Sequence, residues 1–145
     1  MLRCREIMKG EVHSCRTQDP AYRAAEIMAS KAVGFLPVVD SMRRLVGVIT
    51  DRDLVVRLLA HRKDAATRVD ALMTAPVIAC RALDPLTKVE KIMADHTKSR
   101  IPVVDDFGEC VGIISLSDIA QSTAHEEAGQ LLQQVTRRAS QTTVH

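Results

Sequence analysis

Aromatic side chains are nearly absent from this sequence of 145 residues. Tyr22, Phe35 and Phe107 are the only three, and there is no tryptophan. Proteins that bind single-stranded nucleic acid usually stack bases on aromatic rings. The charge is also nearly balanced, since 20 Lys and Arg against 18 Asp and Glu leave a net charge of only +2. Nucleic-acid binding through basic pairs such as Arg43-Arg44 is therefore disfavoured.

Long apolar runs and paired cysteine motifs are missing as well. No apolar run approaches the ~20 residues that cross a bilayer, and the charged first ten residues do not resemble a signal peptide. The four cysteines include no CxxC pair. We therefore expect a cytoplasmic protein with free thiols, no membrane segment, no metal and no cofactor.

Catalytic motifs are missing too. The sequence contains no nucleophile elbow, P-loop or HExxH motif. Its five histidines are scattered rather than grouped with a nucleophile or a metal-binding set. An enzymatic role in its own right is the least favoured interpretation.

The sequence does contain a duplication. When it is shifted by 65 residues it matches itself without a gap, and 17 of the 53 positions from Met8 to Ala60 are identical. The matches include Asp19-Pro20 with Asp84-Pro85, and residues 37–40 with residues 102–105. Internal repeats indicate that one structural unit occurs twice.

Each copy has the pattern of a β-α-β-β-α unit. In the first copy, residues 12–16 form a short extended segment, and Asp19-Pro20 then starts a helix, with Asp as the N-cap and Pro in the first turn. Phe35 to Val39 and Leu45 to Ile49 are apolar runs of strand length on either side of a hairpin turn. A second helix is expected from Asp51, and from Ser117 in the second copy.

The predicted organisation is a single α/β (α+β) module over residues 1–145. Its first repeat covers residues 1–62, its second repeat residues 63–124, and residues 125–145 form a helical tail. One copy of about 55 residues buries too little apolar surface alone, so we expect the two to pack through their sheets with pseudo-two-fold symmetry. An apolar stripe in the tail, formed by Ala128, Leu131, Leu132 and Val135, is expected to face a partner.

A polar pattern follows the last strand of each copy. Thr50 precedes Asp53 by three residues, and Ser115 precedes Asp118 in the same way, each at the predicted start of a helix. One interpretation is a simple helix cap. The other is a binding site, because a hydroxyl and backbone N–H groups suit a phosphate and a carboxylate can accept both hydroxyls of a ribose.

These motifs, an apolar-Pro-Val-Val-Asp strand followed by Val-Gly-x-Ile-[Ser/Thr]-x-x-Asp and occurring twice, resemble the CBS domain. Two in tandem resemble a Bateman module, here expected to be stand-alone. The resemblance covers roughly Met8 to Ala124. It implies a regulatory protein that binds an adenosine-containing ligand of the AMP, ADP and ATP class in clefts between the repeats. It also implies a homodimer that acts on another, unidentified protein.

The resemblance assigns a role to residues in each copy. Asp53 and Asp118 would hold ribose, while Thr50 and Ser115 would meet ribose or phosphate. An Arg before the Pro-Val-Val strand often meets phosphate in the family. Apolar walls around the base would come from Val12, Leu36, Pro37, Val38, Val77, Ile101, Pro102 and Val103. Cations near the phosphate would come from Arg52, Lys98 and Arg100.

The first copy departs from this pattern. Phe35 stands where the second copy has Arg100, which puts phosphate binding in the first copy in doubt unless Arg52 compensates. Core packing is the favoured role for Phe35. Two alternatives therefore stay open, namely a ligand-free interaction module and a sensor of S-adenosylmethionine or NAD.

Overall fold

The computed structural model describes residues 1–122 and 129–137. The elements of the first copy are α1 (Cys4–Ile7), β1 (Cys15–Arg16), α2 (Ala21–Lys31), β2 (Phe35–Val39), β3 (Leu45–Thr50), α3 (Asp51–Asp53) and a π-helix (Leu54–Leu59). Those that follow are a 3-10 turn (Val69–Ala71), β4 (Cys80–Arg81), α4 (Leu86–His96), β5 (Arg100–Val104), β6 (Cys110–Ser115) and α5 (Leu116–Ser122). Residues 129–137 are also helical.

The strands form two three-stranded sheets with the same connectivity. In the first sheet β1 runs parallel to β2 and β2 antiparallel to β3, with Cys15 opposite Val38 and Leu36 opposite Ile49. The second sheet has the order β4-β5-β6, and Cys80 lies opposite Val103. The α/β fold predicted from the repeat is confirmed.

The chain forms two compact units. The first unit comprises Val12–Val77 together with Asp106–Cys110, and the second comprises Met1–Glu11, Ile78–Asp105 and the described residues from Val111 onward. The compact units and the sequence repeats thus divide the chain at different places. The reason lies in the segments that precede each repeat.

We call residues 3–9 the N-terminal lead and residues 68–74 the central lead. The N-terminal lead belongs to the second unit, where Lys9 pairs with Ile113 of β6 through N–O distances of 2.9 and 3.0 Å. The central lead belongs to the first unit, where Thr74 pairs with Val48 of β3 at 2.8 and 3.1 Å. Each lead therefore adds a short bridge to the sheet of the repeat that it does not precede in sequence.

Two glycines allow the leads to approach the strands closely. A Cβ added to Gly47 would lie 2.6 Å from Met73 Sδ, and one added to Gly112 would lie 2.5 Å from Met8 Sδ. Contacts below about 3 Å do not occur between real carbon side chains and their neighbours. A methionine of each lead thus occupies the space that a side chain would fill at this point of the strand.

Each unit has its own apolar core. In the first unit Ala24 and Met28 of α2 pack with Leu36, Val38 and Ile49 of the sheet. The second core contains the equivalent residues Val89, Met93, Ile101, Val103 and Ile114, and it also includes Cys4 of α1. The three- and four-residue spacing in the helices and the alternation in the strands place these side chains on the buried faces.

Several predicted boundaries shift by one to three residues. Pro20 and Pro85 are the N-caps of α2 and α4, not first-turn residues. The Asp19 carboxylate instead accepts the N–H of Arg16 at 2.8 Å, which stabilises the preceding turn. Only the last two residues of each predicted first strand, such as Cys15 and Arg16, join the sheet. Helix α5 begins at Leu116, one residue before the predicted start.

The tail packs on the second unit. Leu131 and Val135 lie in the core of that unit, so these two residues are not left for a partner as expected. Ala128 lies outside the described residues. Within residues 1–122 and 129–137, every helix is too short or too polar to cross a membrane.

Candidate functional site

The polar pattern after β3 and β6 forms the same cap in both units. The Asp53 N–H donates to Thr50 Oγ1 at 3.1 Å, and the Thr50 N–H donates to Asp53 Oδ2 at 3.0 Å. Ser115 and Asp118 repeat this arrangement with two bonds of 3.1 Å. The capping interpretation is therefore correct, and it leaves Oδ1 of each carboxylate outside the cap.

The first unit surrounds the Asp53 carboxylate with two further groups. Thr74 Oγ1 lies 3.4 Å from both carboxylate oxygens, and Arg57 Nε lies 3.8 Å from Oδ1. Arg57 also donates to the carbonyls of Leu72 and Met73 at 3.0 and 2.8 Å. The guanidinium thus ties the central lead to the π-helix beside Asp53, whose side chain is 12% exposed.

The second unit surrounds Asp118 differently. Lys9 Nζ lies 3.8 Å from Asp118 Oδ1, and the Asp118 side chain is 11% exposed. Ser122, which occupies the position equivalent to Arg57, donates its hydroxyl to the Asp118 carbonyl at 2.9 Å. Ser115 Oγ lies 2.9 Å from Ser117 Oγ, which adds a second hydroxyl beside the cap.

The residues before β2 and β5 lie next to these caps. The Asp51 N–H donates to the Gly34 carbonyl at 3.0 Å, and the Leu116 N–H donates to the Ser99 carbonyl at 2.8 Å. Phe35 is opposite Thr50 in the sheet. In the second unit, a cleft of about 390 Å³ brings Arg100 together with the hydroxyls of Ser115 and Ser117. Its apolar lining comes from Leu116, Ala120 and Leu132.

The predicted apolar walls are mostly core residues. Leu36 and Val38 are fully buried in the first core, and Ile101 and Val103 in the second. Because side chains alternate along a strand, Pro37 faces away from the side that holds Leu36 and Val38, and Pro102 away from Ile101 and Val103. Pro37 and Pro102 are also buried.

Of the remaining predicted residues, only Arg52 is part of a cap, since it lies in α3 between Thr50 and Asp53. Val12 lines a cleft of about 820 Å³ in the first unit with Arg16, Arg23 and Arg43. Val77 is half-buried, whereas Arg52 and Lys98 are exposed.

Three residues beside the carboxylates were not predicted, namely Lys9, Arg57 and Thr74. Lys9 and Thr74 are separated by the repeat period of 65 residues and directly follow the matched Met8 and Met73. That equivalence was a usable signal, but only the pairing of the leads with β3 and β6 shows that they reach the caps. Arg57 also had a signal, since it follows Asp53 by four residues in a segment predicted to be helical, and opposite charges at that spacing meet on a helix.

The described residues contain no group of three or more His, Cys, Asp or Glu side chains close enough to hold a metal ion. The polar groups at the two caps are hydroxyls, carboxylates and cations. This chemistry suits a ligand with hydroxyl groups and a negative charge.

Comparison with known proteins gives a family for this arrangement. The CBS domain profile matches residues 4–60 and 69–124. The protein YlbB of Bacillus subtilis is 33% identical over 137 residues, which are 93% of this chain and 92% of YlbB. The resemblance derived from the repeated motifs is confirmed.

Two solved structures show what similar proteins bind. The CBS domain pair of protein MJ0100, in complex with methylthioadenosine and S-adenosyl-L-methionine, has a TM-score of 0.74 and 29% identity, covering 83% of this chain and 94% of that one. CBSX2 in complex with AMP has a TM-score of 0.72 and 25% identity, with the same coverage. Both ligands of the first protein and the ligand of the second contain adenosine.

Proposed function

The chain belongs to the CBS domain family, and on that premise we propose that it is a regulatory module that binds an adenine nucleotide of the AMP, ADP and ATP class. The observation that carries the proposal is the Asp118 carboxylate of the second unit. Its Oδ2 is engaged by the Ser115 N–H at 3.1 Å, while Lys9 Nζ lies 3.8 Å from Oδ1. In the first unit Thr74 Oγ1 also lies 3.4 Å from Asp53 Oδ1, so Asp118 Oδ1 is the acceptor that is more available to the hydroxyls of a ribose.

The second unit is the better equipped of the two. Asp118 Oδ1 would accept from ribose, and Arg100 would pair with phosphate across the cleft that holds Ser115 and Ser117. The described part of the chain gives Arg100 no acidic partner. A micromolar ligand needs about 8 kcal/mol. Charge-assisted hydrogen bonds of ~1.5–3 kcal/mol each, together with burial of the base, supply a free energy of that size.

Isothermal titration with AMP, ATP, NAD and S-adenosylmethionine tests this proposal. We expect AMP or ATP to bind the wild type, and Asp118→Ala to weaken that binding at least tenfold, whereas Asp53→Ala leaves it within twofold. Arg100→Phe, which gives the second unit the residue of the first, should weaken the binding of ATP more than the binding of adenosine. A melting curve for each variant confirms that loss of the cap has not unfolded it.

Two results would count against the proposal. If none of the four ligands bound to the folded protein, the nucleotide proposal would be wrong and a ligand-free interaction module would be favoured. If the Asp118→Ala variant still bound the nucleotide as tightly as the wild type, the ribose would not be held by this carboxylate. If S-adenosylmethionine or NAD alone bound, the adenosine half of the proposal would stand and the nucleotide class would be wrong.

One observation favours the interaction module for the first unit. Asp53 has Arg57 and Thr74 beside it, and Phe35 replaces the phosphate-binding Arg. We propose that this unit contributes to assembly rather than to ligand binding, in a cytoplasmic homodimer that regulates a separate protein. Exposed Val55, Val56 and Leu59 on the π-helix support the dimer. Light scattering on the wild type and Leu59→Asp tests it.

A further inference from the structure

Two thiols face each other in the second unit, away from the capping carboxylates. Cys4 Sγ of α1 lies 3.7 Å from Cys80 Sγ of β4, although the residues are 76 positions apart in sequence. Both side chains are buried, with 0% and 2% exposure. A disulfide has an S–S distance of about 2.05 Å, so an approach of about 1.7 Å would join them.

The first unit provides a natural comparison. Its equivalent positions hold Val69 and Cys15, both buried. The Cys15 thiol donates to the Pro37 carbonyl at 4.0 Å, just as the Cys80 thiol donates to the Pro102 carbonyl at 3.8 Å. A single buried thiol, at the position of Cys15 or Cys80, is therefore enough to pack this part of the fold. The second sulfur, that of Cys4, occurs only where a lead meets the second unit.

The two thiols also differ in acidity. The contact with Cys80 lowers the pKa of the Cys4 thiol, and the same contact raises the pKa of Cys80. Because the thiolate is the nucleophile in thiol–disulfide exchange, Cys4 is the thiol prepared to attack. By contrast, burial raises the pKa of Cys15 to about 12, which leaves that thiol unreactive.

We propose that Cys4 and Cys80 form a reversible disulfide by exchange with a low-molecular-weight disulfide such as oxidised glutathione. The Cys4 thiolate attacks one glutathione sulfur and releases one glutathione thiolate. The Cys80 thiol, which loses its proton to the released glutathione thiolate, then attacks the Cys4 sulfur of the mixed disulfide and releases the second glutathione. Two protein thiols are oxidised to one disulfide, and one glutathione disulfide is reduced to two glutathione molecules.

The bond would fix the N-terminal lead to the second unit. Helix α1 has four residues, and its main anchors are backbone bonds of 3.0 Å from Cys4 to the Asp84 carbonyl and from Arg5 to the Ala82 carbonyl. Opening of this single turn admits the oxidant to the buried thiols. The same segment carries Lys9, so the redox state decides how firmly the cation is held beside Asp118.

Thiol counting tests the proposal. The reduced wild type has four free thiols, and we expect two after equilibration with oxidised glutathione, with peptide mapping linking Cys4 to Cys80. The closed loop is long, so the oxidised form should melt about 10 °C higher than the reduced form. Excess dithiothreitol should reverse both changes.

Cys4→Val is the matched control, because valine is the residue that the first unit uses at this position. It should fold, keep all three of its thiols and show no change in melting temperature on oxidation. Cys15→Ala should still form the bond. Since slow access to buried thiols could delay the reaction, the protein is also refolded from denaturant in a glutathione buffer.

Three outcomes would overturn the proposal. One is four free thiols after refolding in oxidised glutathione. Another is a stable glutathione adduct on Cys4 that never resolves, and the third is a disulfide that maps to any other pair. None of these readouts depends on nucleotide binding, so this proposal and the proposed function succeed or fail separately.

Discussion

The two units use the same cap and surround it with different neighbours. Thr50 with Asp53, and Ser115 with Asp118, make equivalent pairs of hydrogen bonds at equivalent positions. Beside the carboxylate, however, one unit has a hydroxyl and a guanidinium, and the other has a lysine. The cap is thus equivalent in both units, whereas the groups beside its carboxylate differ.

The largest expected effect on stability concerns core residues that should contribute equally in the two units. Leu36→Ala and Ile101→Ala each remove a fully buried side chain from equivalent strands, so each should cost about 2–5 kcal/mol of unfolding free energy. Urea denaturation measures both. Met42→Ala, at a residue that is 68% exposed, should cost less than about 0.5 kcal/mol. A cost below about 1 kcal/mol for either core variant would show that its unit contributes little to the measured stability.

A smaller effect is expected where the leads meet the strands. Gly112→Ala places a Cβ 2.5 Å from Met8 Sδ and 3.1 Å from the Lys9 carbonyl, while Gly47→Ala meets Met73 and Thr74 in the same way. Overpacking of this kind costs about 1–3 kcal/mol.

Limited trypsin digestion adds a readout for the first of these variants, since a displaced N-terminal lead exposes the backbone at Arg3 and Arg5. Gly10→Ala is the control, because a Cβ there meets nothing within 4 Å. If Gly112→Ala matched Gly10→Ala in stability and in its digestion pattern, the tight docking of the lead would be wrong.

The smallest effect comes from exchanging the diverged residues. Lys9→Thr gives the second unit the residue of the first, and Thr74→Lys does the reverse. The Lys9 side chain is 77% exposed, so losing its ion pair should cost under about 1 kcal/mol. Thermal melts in low salt and in 1 M NaCl measure this, and the difference from wild type should shrink in high salt. A loss that salt leaves unchanged would mean that Lys9 acts through packing.

Local patterns predicted the elements well because they are set by neighbours in sequence. The shift of 65 residues identified both copies, and the spacing of Thr50 and Asp53 identified the cap. Contacts between distant segments were beyond such patterns. Nothing near Lys9 in sequence indicates that it meets Asp118, and nothing near Cys4 indicates Cys80. Leu36 and Ile101 were assigned to a ligand wall because apolar residues in a strand suit either face, and only the sheet register shows which.

The exchange of leads between the two units has a consequence for synthesis on the ribosome. The first unit cannot be completed until Thr74 has emerged to pair with Val48, well after its own strands have been made. The N-terminal lead is translated well before β6, so Lys9 waits for Ile113 of that strand. At about 5–20 residues per second, that wait is on the order of ten seconds. During this interval Met8 and Ile7 have no docking surface, and the N-terminal lead docks only after β6 has been made.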